Sequence, residues 1–126
     1  MVDLASQRTA IATALAGISG LRVDAEGLWP DRTNLPAANI RPGDNAAPMN
    51  LTFTTWAESY EVVVVHSLAG GLARGQRGLD ALYDDVVAAL AANLAGLCNI
   101  SRQAYGGIEV DGAEFLGFVL RLEMLG

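Results

Sequence analysis

The sequence predicts an α+β domain in which two helices back a mostly antiparallel sheet of four to five strands, in the order α-β-β-β-α-β-β. Two segments carry apolar residues at helical spacing, and several others alternate or stay apolar over strand-sized lengths. Hydrophobic residues make up 52% of the 126-residue chain and charged residues 17%, which excludes intrinsic disorder. Residues 1–126 are therefore expected to form a single domain.

The first segment is expected to be an amphipathic helix. Asp3 is placed to cap its start, and Gly17 and Gly20 end it. A short strand is expected over residues 21–25. The apolar face of the helix consists of Leu4, Ile11, Leu15 and Ile18.

Residues 26–50 break the pattern and are expected to form an irregular loop. All four prolines of the chain lie here, among Asn, Asp and Gly residues that are typical of turns. A short extended piece over residues 37–41 fits within it. Trp29, Leu35 and Ile40 argue against disorder, and an ordered loop of this length is usually functional.

Two strands follow, over residues 49–54 and 59–67. The first alternates apolar and polar side chains, as a half-buried strand does. The second contains four consecutive valines at residues 62–65, which are β-branched and apolar on both faces. It is therefore predicted to be a central strand that is covered on both sides.

A glycine-rich connection over residues 68–78 is expected to lead into the second helix, which ends at Gly96. The buried stripe of this helix consists of Leu79, Leu82, Val86, Leu90 and Leu94. The chain then closes with strands over residues 100–104, 108–110 and 114–124, separated by turns at residues 105–107 and 111–112.

The second face of the sheet also needs a cover. Phe115, Gly117 and Val119 point away from the face that Leu116 and Phe118 share, so the last strand is apolar on both sides. The loop over residues 26–50 can cover part of that face, and another subunit is the more economical cover. The chain is therefore expected to be one piece of an oligomer.

Charge and composition exclude several classes of function. The net charge is −6, and all eight basic residues are arginine. An acidic chain lacks the positive surface of a DNA or RNA reader and of a protein that binds anionic membranes. No stretch reaches the ~18 apolar residues of a transmembrane helix, and no signal peptide is expected. The single cysteine, Cys98, cannot form an internal disulfide.

No catalytic, cofactor-binding or metal-binding site is predicted. His66 is the only histidine, and no nucleophile motif accompanies it, so we expect it to pack rather than react. Asp80 and Asp84 lie one helical turn apart and could share an ion, but a solvated face partly paired to Arg77 explains them better. The glycines of residues 70–78 could cradle a phosphate, but their spacing matches no phosphate loop and favours a flexible connection.

Three segments resemble a known family. They are the strand YEVVVV at residues 60–65, the helix GQRGLDALYDDV at residues 75–86 and the strand FLGFVLRL at residues 115–122. With the opening helix and the proline-rich middle, they resemble the small tail-terminator, or tail-completion, proteins of long-tailed bacteriophages. The resemblance covers nearly the whole chain in element order.

The resemblance implies a structural virion protein and not an enzyme. It implies a sheet backed by two helices and a ring, usually of six copies, that ends the tail tube and meets the head–neck connector. The subunit would be made in the host cytoplasm and would reside in the virion, with no cofactor and no membrane partner. Six copies at −6 each would carry −36, so DNA is expected to pass through the ring without being gripped.

Function in such a protein is contact, and the contacts are expected chiefly on the loop over residues 26–50. Either tryptophan could instead plug the core. A head-closure or adaptor ring is an alternative, as is a dimeric small-molecule-binding α+β domain, which would need convergent polar groups such as Tyr60, Glu61 and His66. The candidate interface residues are Trp29, Asp31, Arg32, Arg41, Trp56, Arg74 and Arg77.

Overall fold

A computed structural model of the chain describes residues 4–24, 36–42, 57–66, 71–94, 98–110 and 112–125. The predicted α+β class is confirmed, with two helices and a five-stranded sheet in these residues. The elements are α1 (Leu4–Ala16), β1 (Arg22–Asp24), β2 (Ala37–Pro42), β3 (Ala57–His66), α2 (Leu72–Asn93), β4 (Cys98–Val110) and β5 (Ala113–Leu125).

The strands lie side by side in the order β1-β2-β3-β5-β4. β1 and β2 are parallel, and the other three pairings are antiparallel, so the sheet is mixed. The valine-rich β3 is central, with Val63 opposite Asn39 of β2 and Val119 of β5. This position explains its composition, because a central strand buries both faces.

Both helices pack on one face of the sheet and form the main core there. Ile11 and Leu15 of α1 are fully buried, as the helical spacing predicts. The predicted stripe of α2 is confirmed, from Leu79 through Leu94. The sheet contributes alternate residues of its strands, namely Ala38, Ile40, Tyr60, Val62, Val64, Leu116, Phe118, Leu120 and Leu122.

A second, smaller cluster lies on the opposite face and consists of Ala37, Val63, Val65, Ile108 and Phe115. The prediction that β3 and β5 are buried on both sides is therefore confirmed. Neither helix contributes to this cluster. Its side chains are nevertheless buried within the single chain, so a second subunit is not needed to cover them.

The predicted connection over residues 68–78 is wrong from Leu72 onward, because α2 already begins there. Gly71 precedes the helix with φ 97°, a conformation that favours glycine. Gly75 is buried inside the helix, and Gly78 leaves room for His66. Gly78 therefore serves close packing of a helix, although glycine lowers helix propensity.

The predicted turn at residues 105–107 is also wrong, because β4 continues through it. A register shift between Arg102 and Ala104 and a φ of 106° at Gly106 bend the strand without ending its pairing with β5. The predicted turn at residues 111–112 agrees with Gly112, which joins the two strands with φ 84°.

The stretch predicted as an irregular loop, residues 26–50, contains the sheet strand β2. The extended piece expected at residues 37–41 is thus confirmed and pairs on both sides. The expected strand over residues 49–54 lies outside the described residues, as does Gly96.

Candidate functional site

The first two turns of α2 and the β4–β5 hairpin enclose a surface cleft of about 320 Å³. Two glycines, Gly106 and Gly107, form part of its floor and leave it open because they carry no side chains. Leu72 stands at its helix wall with 61% of its surface exposed. The residues that line the cleft are Leu72, Gln76, Gly106, Gly107, Glu114, Phe115 and Leu116.

Two arginines flank the start of α2. Arg74 and Arg77 are both exposed, and they lie three residues apart on the outer side of the helix. The first turn of α2 holds no acidic residue, and no side chain caps its N-terminus. The end of the helix that carries partial positive charge is therefore also the end that carries arginines.

Two glutamates face each other near the end of the β4–β5 hairpin. Glu109 and Glu114 are direct cross-strand partners and both are exposed. Directly opposed like charges destabilise a strand pair. No ion pair joins either glutamate, or Arg74 or Arg77, to another residue of the described part of the chain.

An aromatic cluster beside the cleft joins α2 to the hairpin. The ring of Phe118 is stacked with that of Tyr105 at 6.1 Å between centroids and meets that of Tyr83 edge-on at 5.1 Å. The guanidinium of Arg102 lies 5.5 Å from the Tyr105 ring and 5.8 Å from the Tyr83 ring, within cation–π range.

The hydroxyl of Tyr105 donates a hydrogen bond to the carboxylate of Asp80 on α2. Burial of the phenol, and then this hydrogen bond and the negative charge of Asp80, raise the pKa of Tyr105 to about 12. Asp80 is therefore bonded to Tyr105, and the pairing with Arg77 expected from the sequence is not seen.

His66 lies at the end of β3, and its imidazole packs against α2. A methyl group at Gly78 would lie 2.7 Å from both Cε1 and Nε2 of His66, so the glycine is what allows this contact. Tyr60, which donates a hydrogen bond to Gln7 of α1, and Glu61 lie on the same strand. None of these three residues lines the cleft.

The predicted interface residues fall into three groups. Arg74 and Arg77 are exposed on the outer side of α2 and do not line the cleft, and Arg41 is half-buried in β2, opposite Glu61. Glu109, Glu114 and Leu72 were missed. The two glutamates could have been found from the turn predicted at residues 111–112, because a turn there sets Glu109 opposite Glu114. The remaining predicted interface residues, Trp29, Asp31, Arg32 and Trp56, lie outside the described residues.

No group of three or more His, Cys, Asp or Glu side chains that could hold a metal ion occurs among the described residues. Neither described helix is long and apolar enough to cross a membrane. Neither the protein-family models nor the curated proteins give a match to this chain.

Proposed function

We propose that this chain is the subunit of a ring, of six copies, that terminates the tail tube of a long-tailed bacteriophage and joins it to the head–neck connector. In this function the protein works by contact with neighbouring copies, with the tail tube protein and with the connector, and DNA passes through the ring. It catalyses no reaction and acts in the virion.

The observation that carries this proposal is the arrangement of the two helices on one face of a five-stranded sheet, in the order α-β-β-β-α-β-β. That arrangement agrees with the fold that the resemblance to tail-terminator proteins implies. Glu114 at the cleft, its cross-strand partner Glu109, and Arg74 and Arg77 on the outer side of α2 are exposed charges, which suit the polar rim of a protein–protein contact.

The proposal is tested with the purified full-length protein and with isolated tail tubes that lack their end ring. We expect a ring with a central hole by negative-stain imaging, at a mass of six copies by light scattering. We also expect the protein to bind one end of each tube and stop its further growth. Tubes that stay uncapped and keep growing at saturating protein would overturn the proposal.

A head-closure or adaptor ring is the alternative within the same class, and location in the particle separates the two. Immunogold labelling of assembled virions should place the chain at the junction between tail tube and connector. Labelling on the connector side of preparations that contain no tail would favour the alternative.

The cleft favours a second candidate from another class, a small-molecule-binding domain, because ligand pockets start at about 300 Å³. Among its lining residues only Gln76 and Glu114 bring polar side chains. A thermal-shift screen of small cationic and neutral metabolites tests this function. A ligand whose stabilising effect disappears in Gln76→Ala, with the ring absent, would favour this candidate over the ring.

A further inference from the structure

We infer that the cleft between α2 and the β4–β5 hairpin is where a second copy of this chain docks. In this contact Arg74 and Arg77 of one copy face Glu109 and Glu114 of the next. The inference rests on the proposed function, because it names the contact between neighbouring subunits of the ring.

The glutamate pair is unfavourable in the isolated subunit. Glu109 and Glu114 stand directly opposite each other and are exposed, and neither has an ion pair with a described residue. Like charges in this position repel across the strands. A cation from outside the subunit would relieve that repulsion.

The arginine pair is unfavourable in the opposite sense. Arg74 lies in the first turn of α2, where the helix dipole favours negative charge and where no acidic residue occurs, and Arg77 follows three residues later. Acidic groups from outside would relieve this mismatch. The arginine pair therefore lacks the negative charge that the glutamate pair supplies, and the glutamate pair lacks the positive charge that the arginine pair supplies. Every copy of the chain carries both pairs.

Apolar surface is exposed at the cleft, on the same side of the molecule as Glu114. Leu72 and Tyr105 are the large hydrophobic residues that the described part of the chain leaves exposed, at 61% and 37%. Leu72 lines the cleft, and Tyr105 directly precedes its floor at Gly106. An apolar centre with charged margins is the usual composition of a protein–protein contact.

The charge complementarity selects a second copy as the occupant. Because each copy offers one basic and one acidic pair at separate sites, copies can join head to tail, and head-to-tail contacts close into rings. The cleft contributes Glu114 from its sheet wall and Leu72 from its helix wall to the same contact.

Charge reversal in the full-length chain tests this contact. One variant carries Arg74→Glu and Arg77→Glu, and another carries Glu109→Arg and Glu114→Arg. By sedimentation velocity, we expect each variant alone to need an at least about tenfold higher concentration to self-associate than the wild type. An equimolar mixture of the two should recover association, since every contact again joins opposite charges. A chain with all four substitutions should recover it as well.

Two matched controls use exposed charges elsewhere, Arg22→Glu in β1 and Asp85→Arg on α2, and should associate as the wild type does. Leu72→Asp probes the apolar centre and should weaken association without loss of the circular dichroism signal, because Leu72 is exposed.

The outcomes separate the inference from the proposed function. Charge-reversed variants that associate like the wild type, or a mixture that fails to recover, would overturn the docking contact even where the wild type forms a ring. If an unrelated basic peptide restores association of the Arg74→Glu, Arg77→Glu variant as well as the second variant does, the docking contact would also be overturned. A wild type that stays monomeric at every concentration also contradicts the contact, and the tail-tube experiment then decides the proposed function by itself.

Discussion

Gly117 lies where β5 passes close to β3, and the neighbouring atoms leave no room for a side chain. A methyl group there would collide with the backbone oxygen of Val64 and lie 2.9 Å from Cδ1 of Ile108. The oxygen belongs to the central strand and cannot move aside. We expect Gly117→Ala to lower the free energy of unfolding by at least about 2 kcal/mol, measured by urea denaturation.

Gly107 provides the matched control for that substitution. It lies in β4, one strand away, and a methyl group there would meet nothing within 4 Å. Gly107→Ala should leave stability within about 0.5 kcal/mol of the wild type. Equal losses for the two alanine variants would show that close approach at Gly117 is not the cause.

The contact between Gly78 and His66 makes a second prediction at this scale. Alanine is favoured over glycine in a helix by about 1 kcal/mol, but a methyl at Gly78 would strike the imidazole at 2.7 Å. We therefore expect Gly78→Ala to give no gain in the wild type and to stabilise the His66→Ala variant. The wild type, the two single variants and the double variant form a double-mutant cycle. Their thermal or urea unfolding measures the coupling between Gly78 and His66. Independent, additive effects would argue against the contact.

At the scale of elements, α2 is fastened to the hairpin by Tyr83, Tyr105 and Phe118, together with the hydrogen bond from Tyr105 to Asp80. Tyr105→Phe keeps the rings and removes the hydroxyl. Because Tyr105 is partly exposed, the loss at neutral pH should stay below about 1 kcal/mol. Urea denaturation at neutral pH measures it.

The raised pKa of Tyr105 also predicts how that difference changes with pH. The phenol ionises near 10 in the unfolded chain and at about 12 in the folded one. The unfolded state therefore loses its proton first, and folding loses stability as pH rises from about 10 to 12. The Tyr105→Phe variant has no phenol to ionise and does not lose this stability. The difference in free energy of unfolding between wild type and variant should therefore narrow from about pH 10 to 12. The chain has no lysine to titrate there. A gap that stays constant from neutral pH to pH 12 would contradict the assignment.

The elements also show how far sequence patterns reach. The stripe of α2 and the alternation of β5 were predictable because burial repeats with the period of the element. The start of α2 at Leu72 was not predictable, because glycine commonly marks the end of a helix. Here Gly78 lies inside the helix and makes room for His66. The path of β4 through Gly106 was missed for a related reason, because a glycine pair in a bulged strand has the composition of a turn.

At the scale of the whole molecule, the fold class followed from periodicity, whereas the candidate site did not, and β2 was expected only as a short extended piece within an irregular loop. Leu72 at the cleft is an ordinary helix residue in the sequence, and only the fold brings it beside the hairpin. The glutamate pair likewise becomes visible only once the register of β4 and β5 is known, whereas Arg74 and Arg77 were already candidates in the sequence.

The net charge carries a prediction for the assembled protein. At −6 per copy, the protein should not retain duplex DNA at physiological salt, because like charges repel. Fluorescence anisotropy of a labelled duplex should stay flat up to about 100 μM protein, the weak end of the range of dissociation constants for non-specific DNA binding. Saturable binding that weakens with added salt would point instead to a basic surface that lines the proposed ring.

The irregular edge of the sheet has a consequence for how the protein behaves at high concentration. β4 is 13 residues long and lies at the end of the strand order, where a flat strand would template the backbone of another chain. The register shift after Arg102 and the left-handed backbone at Gly106 divide it into shorter runs. An edge broken in this way is a poor seed for cross-β fibrils, so we expect concentrated protein to resist amyloid-like aggregation.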